Sequence, residues 1–304
     1  MSADAGRRRL LSLLGELPPR APATPGQCVD VTPRGDAVVE RWTLDLAGTP
    51  VPALLVAPPS PRAVVLYCHA HGQRFDVGKD ELVVGRPALA SPPYGDALAA
   101  IGVAALAIDH LGFGERAATP ERVLNKRLLW HGVTLWGRRV ADSLAAFDWL
   151  AREPRLAALP VVALGLSMGS AMACWTAALE PRITACADLC GLAEYDALEA
   201  SGADDLHAEY FFVPGLRRHF TAAAINALIA PRPHLSCVGA DDPLTPPAGV
   251  AAIDRALRAA YAEAGAPDAW RQRVFPVGHV ESPAMRAAVL GFVDGIAHGG
   301  NARA

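Results

Sequence analysis

Gly165-Leu166-Ser167-Met168-Gly169 sets a serine between two glycines, after the apolar run Pro160 to Leu164 and before the alanine-rich run Ser170 to Trp175. An alcohol is a poor nucleophile at neutral pH, and this context addresses part of that weakness. A serine at a sharp strand-to-helix turn stands clear of its neighbours, and side chains two before and two after it would collide. Glycine at 165 and 169 removes them. The first N–H groups of the following helix, beginning with Met168, then point at any negative charge that grows near the hydroxyl. The chemistry this arrangement predicts is nucleophilic attack on a carbonyl carbon.

Such a serine needs a base within hydrogen-bond reach, and the base needs an orienting group. After an elbow serine these partners are expected in the order acid, then histidine. Gly278-His279 supplies the base: His298 lies in the tail and His234 opens a strand. For the acid, the Gly-x-x-Asp spacing from Gly239 and the following Pro243 favour Asp242. Asp241 is the adjacent alternative, with a turn-capping role otherwise, and Asp188 is a more distant third. The oxyanion would be held by Met168 N–H and by a donor in His69-Ala70-His71-Gly72, His71 N–H first and Gly72 or Gln73 after it. His69 is expected to be structural.

His-x-His is also a metal-ligand spacing, extended in binuclear zinc hydrolases to His-x-His-x-Asp-His. Gln73 and Arg74 occupy the last two places here, so no metal and no organic cofactor are expected. Asp109 in Asp-x-x-Gly-x-Gly is expected to shape a turn. Lys79, Glu81 and Arg86 read as a solvated or self-paired set, with a substrate-facing role left open. Phe113, Trp130, Tyr210, Phe211 and Phe212 are candidates to line a substrate pocket, and Trp136 belongs to the core.

The elements that must position these residues follow from patterning. Val38 to Leu46 and Val51 to Ala57 form an edge hairpin around Ala47-Gly48-Thr49-Pro50. Ala63 to Cys68 and Val103 to Ile108 are short apolar runs, the mark of buried parallel strands. Further strands are expected in the apolar run that begins at Leu159 and leads into Gly165, and at Ile183 to Leu189, His234 to Gly239 and Arg273 to Pro276. Helices are expected at Tyr94 to Ile101, Leu135 to Arg152, Val250 to Ala264 and Pro283 to Ala297, the last capped by Ser282. Alternating strands and helices give a parallel sheet covered on both faces. Ligands bind such sheets beyond the carboxyl ends of the strands, where all the residues above fall. Residues 1–37 read as an N-terminal helix and a Pro-rich lead-in, and 38–304 as one domain. Irregular insertions run over 72–95, 111–134 and 190–229, the last lid-like.

About half of the 304 residues are apolar, enough for a sizeable core. A net charge of −3 and no basic run longer than Arg7-Arg8-Arg9 argue against nucleic acid. Leu10 to Leu14 after that run is briefly signal-like, but Gly15 and Glu16 cut it. No run approaches the ~20 apolar residues that span a bilayer. Six scattered cysteines without Cys-x-x-Cys fit reduced thiols and a cytoplasmic location. Oligomeric state has no signature.

Taken together, the Gly165–Gly169 elbow, the His69–Gly72 loop, the Asp109–Gly114 turn, Gly239 to Pro243 and Gly278-His279 resemble the serine α/β-hydrolase superfamily, over about Val38 to Ala297. Gly78 to Glu81, Tyr94 to Ala99 and Ile229 to Pro233 are similar to its dienelactone-hydrolase-like and acetyl-esterase-like branch. True dienelactone hydrolases carry cysteine at the elbow, and Ser167 departs from that. The resemblance implies a mostly parallel eight-stranded sheet with strand-end insertions. It also implies a small-molecule carboxylic ester, short in its acyl group, cleaved by Ser167, His279 and Asp242. A non-catalytic ligand-binding protein is the alternative from another class. Among enzymes, thioesterase, peptidase and C–C hydrolase share the machinery.

Overall fold

The apolar strands pack as their two-residue period requires. On β4 (Ala63–Cys68), Val64, Leu66 and Cys68 enter one hydrophobic cluster, while Ala63, Val65 and Tyr67 enter a second. Both faces are therefore covered, and every residue of β4 is buried. The same holds for β5 (Val103–Ile108), β6 (Val161–Leu166), β7 (Ala185–Leu189) and β8 (His234–Gly239). The computed structural model describes residues 2–20 and 25–299.

Nine strands form one sheet in the order β1-β2-β3-β5-β4-β6-β7-β8-β9, with β1 at Gln27–Arg34, β2 at Ala37–Leu46, β3 at Thr49–Ala57 and β9 at Trp270–Phe275. From β5 through β9 all neighbours pair in parallel, and β1, β2 and β3 pair antiparallel at one edge. The expected eight strands become nine because Gln27–Arg34, placed by its sequence in the lead-in, joins the sheet. Seven of its eight residues are exposed, so it carries no apolar alternation and is held by main-chain pairing to β2.

One cluster lies under the helices Ala3–Leu13, Leu135–Leu150, Met168–Leu179 and Pro247–Glu263, with Trp136, Phe147 and Trp270 inside it. The other lies under Tyr94–Ala100 and Pro283–Ala297. Ser282 caps the latter helix, accepting from Met285 N–H at 3.2 Å. No helix among the described residues is long and apolar enough to cross a membrane. Cys28 is exposed and the other five cysteines are buried, all six as free thiols.

The stretch 111–134 is not wholly irregular: it contains the helix Glu121–Trp130. That helix buries no residue fully and turns only Leu124 and Leu128 onto the core, a stripe too narrow to betray it. Residues 190–229 form short helical turns, among them Tyr195–Ser201 and Ala222–Asn226. Glu194 fastens the two ends of this insertion together. Its carboxylate accepts from Tyr195 N–H and Ala222 N–H at 3.1 Å and from Ala223 N–H at 3.2 Å. Glu194→Ala leaves three donors unmatched, at about 1–3 kcal/mol for a buried group left unpaired. Limited proteolysis should then cut faster between residues 195 and 221, while the sheet keeps its hydrogen-exchange protection. Unchanged cleavage would show that the carboxylate does not hold the insertion.

Candidate active site

The turn after β6 is strained at one residue. Ser167 has φ 59° and ψ −120°, a region that side chains seldom occupy. The crowding around it explains the glycines. A Cβ on Gly165 would lie 2.5 Å from the Cys68 carbonyl oxygen, and one on Gly169 would lie 1.9 Å from it. Backbone occupies both spaces, so neither collision can be relieved by a rotamer change. The end of β4 is thus pressed against the first turn of the elbow helix Met168–Leu179.

His279 and Asp242 come to this serine from the loops after β9 and β8. His279 Nε2 lies 2.8 Å from Ser167 Oγ, and His279 Nδ1 lies 2.8 Å from Asp242 Oδ2. An ionised carboxylate only accepts, so Nδ1 carries the proton and Nε2 is left to accept from the serine hydroxyl. Asp242 is buried, and its other oxygen accepts from Leu244 N–H at 2.9 Å. Asp241 is exposed. Its N–H donates to Val277 O at 3.0 Å and joins the two loops. Asp188 faces the core: it accepts from Ser170 Oγ and Ser236 Oγ and pairs with His234 Nε2 at 2.8 Å. The His279 loop is anchored through Glu281, which accepts from Ala90 N–H and Tyr94 O–H and pairs with Arg286.

The loop after β4 is fixed from both sides. Glu81 accepts from Ala70 N–H at 3.1 Å and from Tyr67 O–H at 2.7 Å, and pairs with Arg86. Arg86 also donates to Ala70 O at 2.9 Å. Lys79 pairs with Asp109 at 3.0 Å, and Asp109 accepts from Lys79 N–H and Glu115 N–H, closing its turn. Of the three, Glu81 and Arg86 therefore pair with each other while Lys79 pairs with Asp109 and Glu115, and all three side chains are buried rather than solvated.

His69 is buried, and burial pushes its ring down to about 3, so it stays neutral. Its Nδ1 donates to Ala70 O and its Nε2 accepts from His110 N–H. His71 Nδ1 accepts from Gln73 N–H at 3.2 Å, and its Nε2 donates to Glu121 at 3.0 Å. All four ring nitrogens of the His-x-His pair thus have protein partners, in two separate directions. The His71 N–H has no hydrogen-bond partner among the described residues.

The five aromatics divide. Phe113 is buried in ring contact with His69, His71 and Phe75, and Tyr210 stacks on His71 at 5.1 Å and on Trp136 at 5.6 Å. Both pack the loop after β4. Phe211 stacks on His207 at 4.8 Å and, with Phe212, lines a cavity of about 270 Å³. Trp130 is 88 % exposed, which corrects its candidacy as a pocket wall. A cavity of about 550 Å³ lies between Gln73, Phe75, Thr119, Arg122, Asn125 and His207, and Glu121, the partner of His71, also lines it. His207 Nε2 donates to Leu244 O at 3.1 Å, two residues from Asp242. Sequence reasoning missed His207, Glu121 and Arg139. Of these, Arg139 had a signal, as a charge on the buried helix face of Trp136 and Val140.

The comparisons with known proteins bear on this geometry. No protein-family model matches the chain. The Bacillus subtilis (strain 168) protein YtaP, whose name calls it a hydrolase, is 40% identical over 291 residues, covering 94% of this chain and 97% of that one. This chain belongs to the same hydrolase family. Solved structures support the α/β-hydrolase fold. A glucuronoyl esterase from Solibacter usitatus superposes with a TM-score of 0.70 at 16% identity, over 95% of this chain and 91% of that one. Acetyl xylan esterase 1 from Thermoanaerobacterium sp. JW/SL YS485 gives 0.65 at 16% identity, over 97% and 93%.

The two adjacent aspartates can be separated by substitution. Asp242→Asn should leave the protein folded and lower ester turnover by on the order of 10³–10⁴, because the amide no longer fixes the His279 tautomer. Asp241→Asn should stay within about threefold of the parent, as an exposed change usually does. Steady-state kinetics on both, with circular dichroism as the folding control, decide the assignment. Equal losses would remove it.

Proposed function

We propose that the protein is a carboxylic ester hydrolase that works through a Ser167–His279–Asp242 triad. The observation that carries this is the unbroken pair of 2.8 Å contacts from Ser167 Oγ through His279 to Asp242. Ser167 attacks the ester carbonyl carbon as His279 Nε2 takes its proton. Asp242 stabilises the imidazolium that results. The tetrahedral oxyanion lies against Met168 N–H and His71 N–H. Its collapse breaks the ester C–O bond, and His279 gives its proton to the leaving alcohol. Water then attacks the acyl-enzyme, with His279 again as base, releasing the acid and the free serine.

The esterase names of the structural neighbours support an ester as substrate, and the branch resemblance supports a short acyl group. The 550 Å³ cavity, lined by amides, a hydroxyl, a guanidinium and the carboxylates of Glu121 and Glu209 beside Phe75, offers room for a hydroxylated alcohol portion. Tyr210 stacked on His71 and His207 bonded to Leu244 O support a lid-like role for the 190–229 insertion.

Ser167→Ala removes the nucleophile and should abolish turnover of p-nitrophenyl acetate in folded protein, by about 10⁶-fold if the triad acts as a unit. A panel of longer p-nitrophenyl esters should lose kcat/KM as the acyl chain grows. Full activity in Ser167→Ala would end the serine mechanism. Saturable binding of esters with no turnover in the parent would favour a binding protein instead.

A further inference from the structure

The helix Glu121–Trp130 reaches the site with its first residue. Glu121 stands in the insertion after β5, and its carboxylate meets two groups. His71 Nε2 donates to it at 3.0 Å, and Arg139 Nη2 donates to it at 2.6 Å. Arg139 is wholly buried, on the helix Leu135–Leu150. Glu121 is the one carboxylate that accepts from it among the described residues. The other contacts of Arg139 lead back to the elbow: Nη1 lies 3.6 Å from Met168 Sδ, and Nε and Nη2 donate to Leu111 O. The guanidinium also sits 4.9 Å from the ring centres of Phe113 and Tyr210, which themselves pack on His71.

We propose that Glu121 is a positioning residue for the oxyanion hole, holding the His71 side directly and the Met168 side through Arg139. The proposal rests on the triad and the oxyanion donors assigned under Proposed function. One carboxylate at the start of this half-buried helix spans both donor residues, which follow strands β4 and β6. Burial alone would raise the Glu121 carboxyl, but His71 and Arg139 outweigh it and hold it below its ordinary value. The carboxylate is thus charged at neutral pH. It keeps Nε2–H as the proton of the His71 ring, which leaves Nδ1 to accept from Gln73 N–H and pin the loop. Displacing this helix from its seat would release the loop and unpair a buried guanidinium together. The insertion after β5 would therefore govern the rate of acyl transfer as well as the shape of the substrate cavity.

The test compares Glu121→Ala, Glu121→Gln and Lys126→Ala, the last an exposed change on the same helix. Two readouts are used: kcat and KM for p-nitrophenyl acetate, and the second-order rate of Ser167 phosphonylation by a fluorophosphonate, followed by intact mass. Glu121→Ala should lower kcat and the phosphonylation rate by about 10- to 100-fold, with KM moving less than about threefold, because misplaced donors weaken only the transition state. Glu121→Gln retains an acceptor for His71 but no charge for Arg139, and should fall between. Lys126→Ala should match the parent. Unchanged kcat and phosphonylation in folded Glu121→Ala or Glu121→Gln would overturn the proposal. So would a loss confined to KM, or an equal loss in Lys126→Ala. If Glu121→Ala does not fold, Glu121→Gln decides on the same two readouts. Absence of any Ser167 adduct in the parent would instead refute the triad, independently of Glu121.

Discussion

The close approach of two backbones governs this site. The carbonyl of Cys68, at the end of β4, occupies the space where a side chain at 165 or 169 would stand. That contact forces glycine at both positions and leaves the strained φ to Ser167. It also sets the loop after β4 beside the first turn of the elbow helix. Ser167 and the His69–Gly72 loop are thus neighbours because β4 and β6 are neighbours in the sheet. A strained serine of this kind persists only where surrounding structure over-determines it. Here the sheet supplies that through Ser167 N–H bonded to Leu189 O and two flanking parallel pairings.

The site is then completed by loops that carry their own buried ion pairs. Glu81 with Arg86 holds Ala70, Glu121 with Arg139 holds His71, and Glu281 with Arg286 holds the loop of His279. In each case a carboxylate, buried at Glu81 and Glu281 and half-buried at Glu121, is both paired and hydrogen-bonded, the condition under which burying charge is tolerated. Preorganised loops need no reorganisation as charge develops. The rigidity lies in these pairs, while the insertions carrying His207, Asn125 and Arg122 shape the adjoining cavity.

Much of this was legible in the residue pattern. Ala63–Cys68 and Val103–Ile108 have the expected bounds because a strand buried on both faces is apolar throughout. That Ser167, Asp242 and His279 meet could be expected because each follows a strand in the order an elbow requires. Other features carry no such signal. Gln27–Arg34 is an exposed edge strand held by main-chain bonds, and the helix Glu121–Trp130 turns only Leu124 and Leu128 inward. The pairing of His71 with Glu121 spans 50 positions and that of Tyr94 with Glu281 spans 187. Partners so distant leave no local periodicity, so the positioning carboxylates emerge only when the chain is folded.

The central claim is that Ser167 attacks a carbonyl whose oxygen turns toward the backbone donors of residues 168 and 71. A crystal structure of the protein inactivated by an organophosphonate tests it most directly. The account predicts phosphorus bonded to Ser167 Oγ, with the phosphoryl oxygen about 2.7–3.1 Å from both Met168 N and His71 N. Phosphorus on another residue, or a phosphoryl oxygen turned away from both nitrogens, would contradict it.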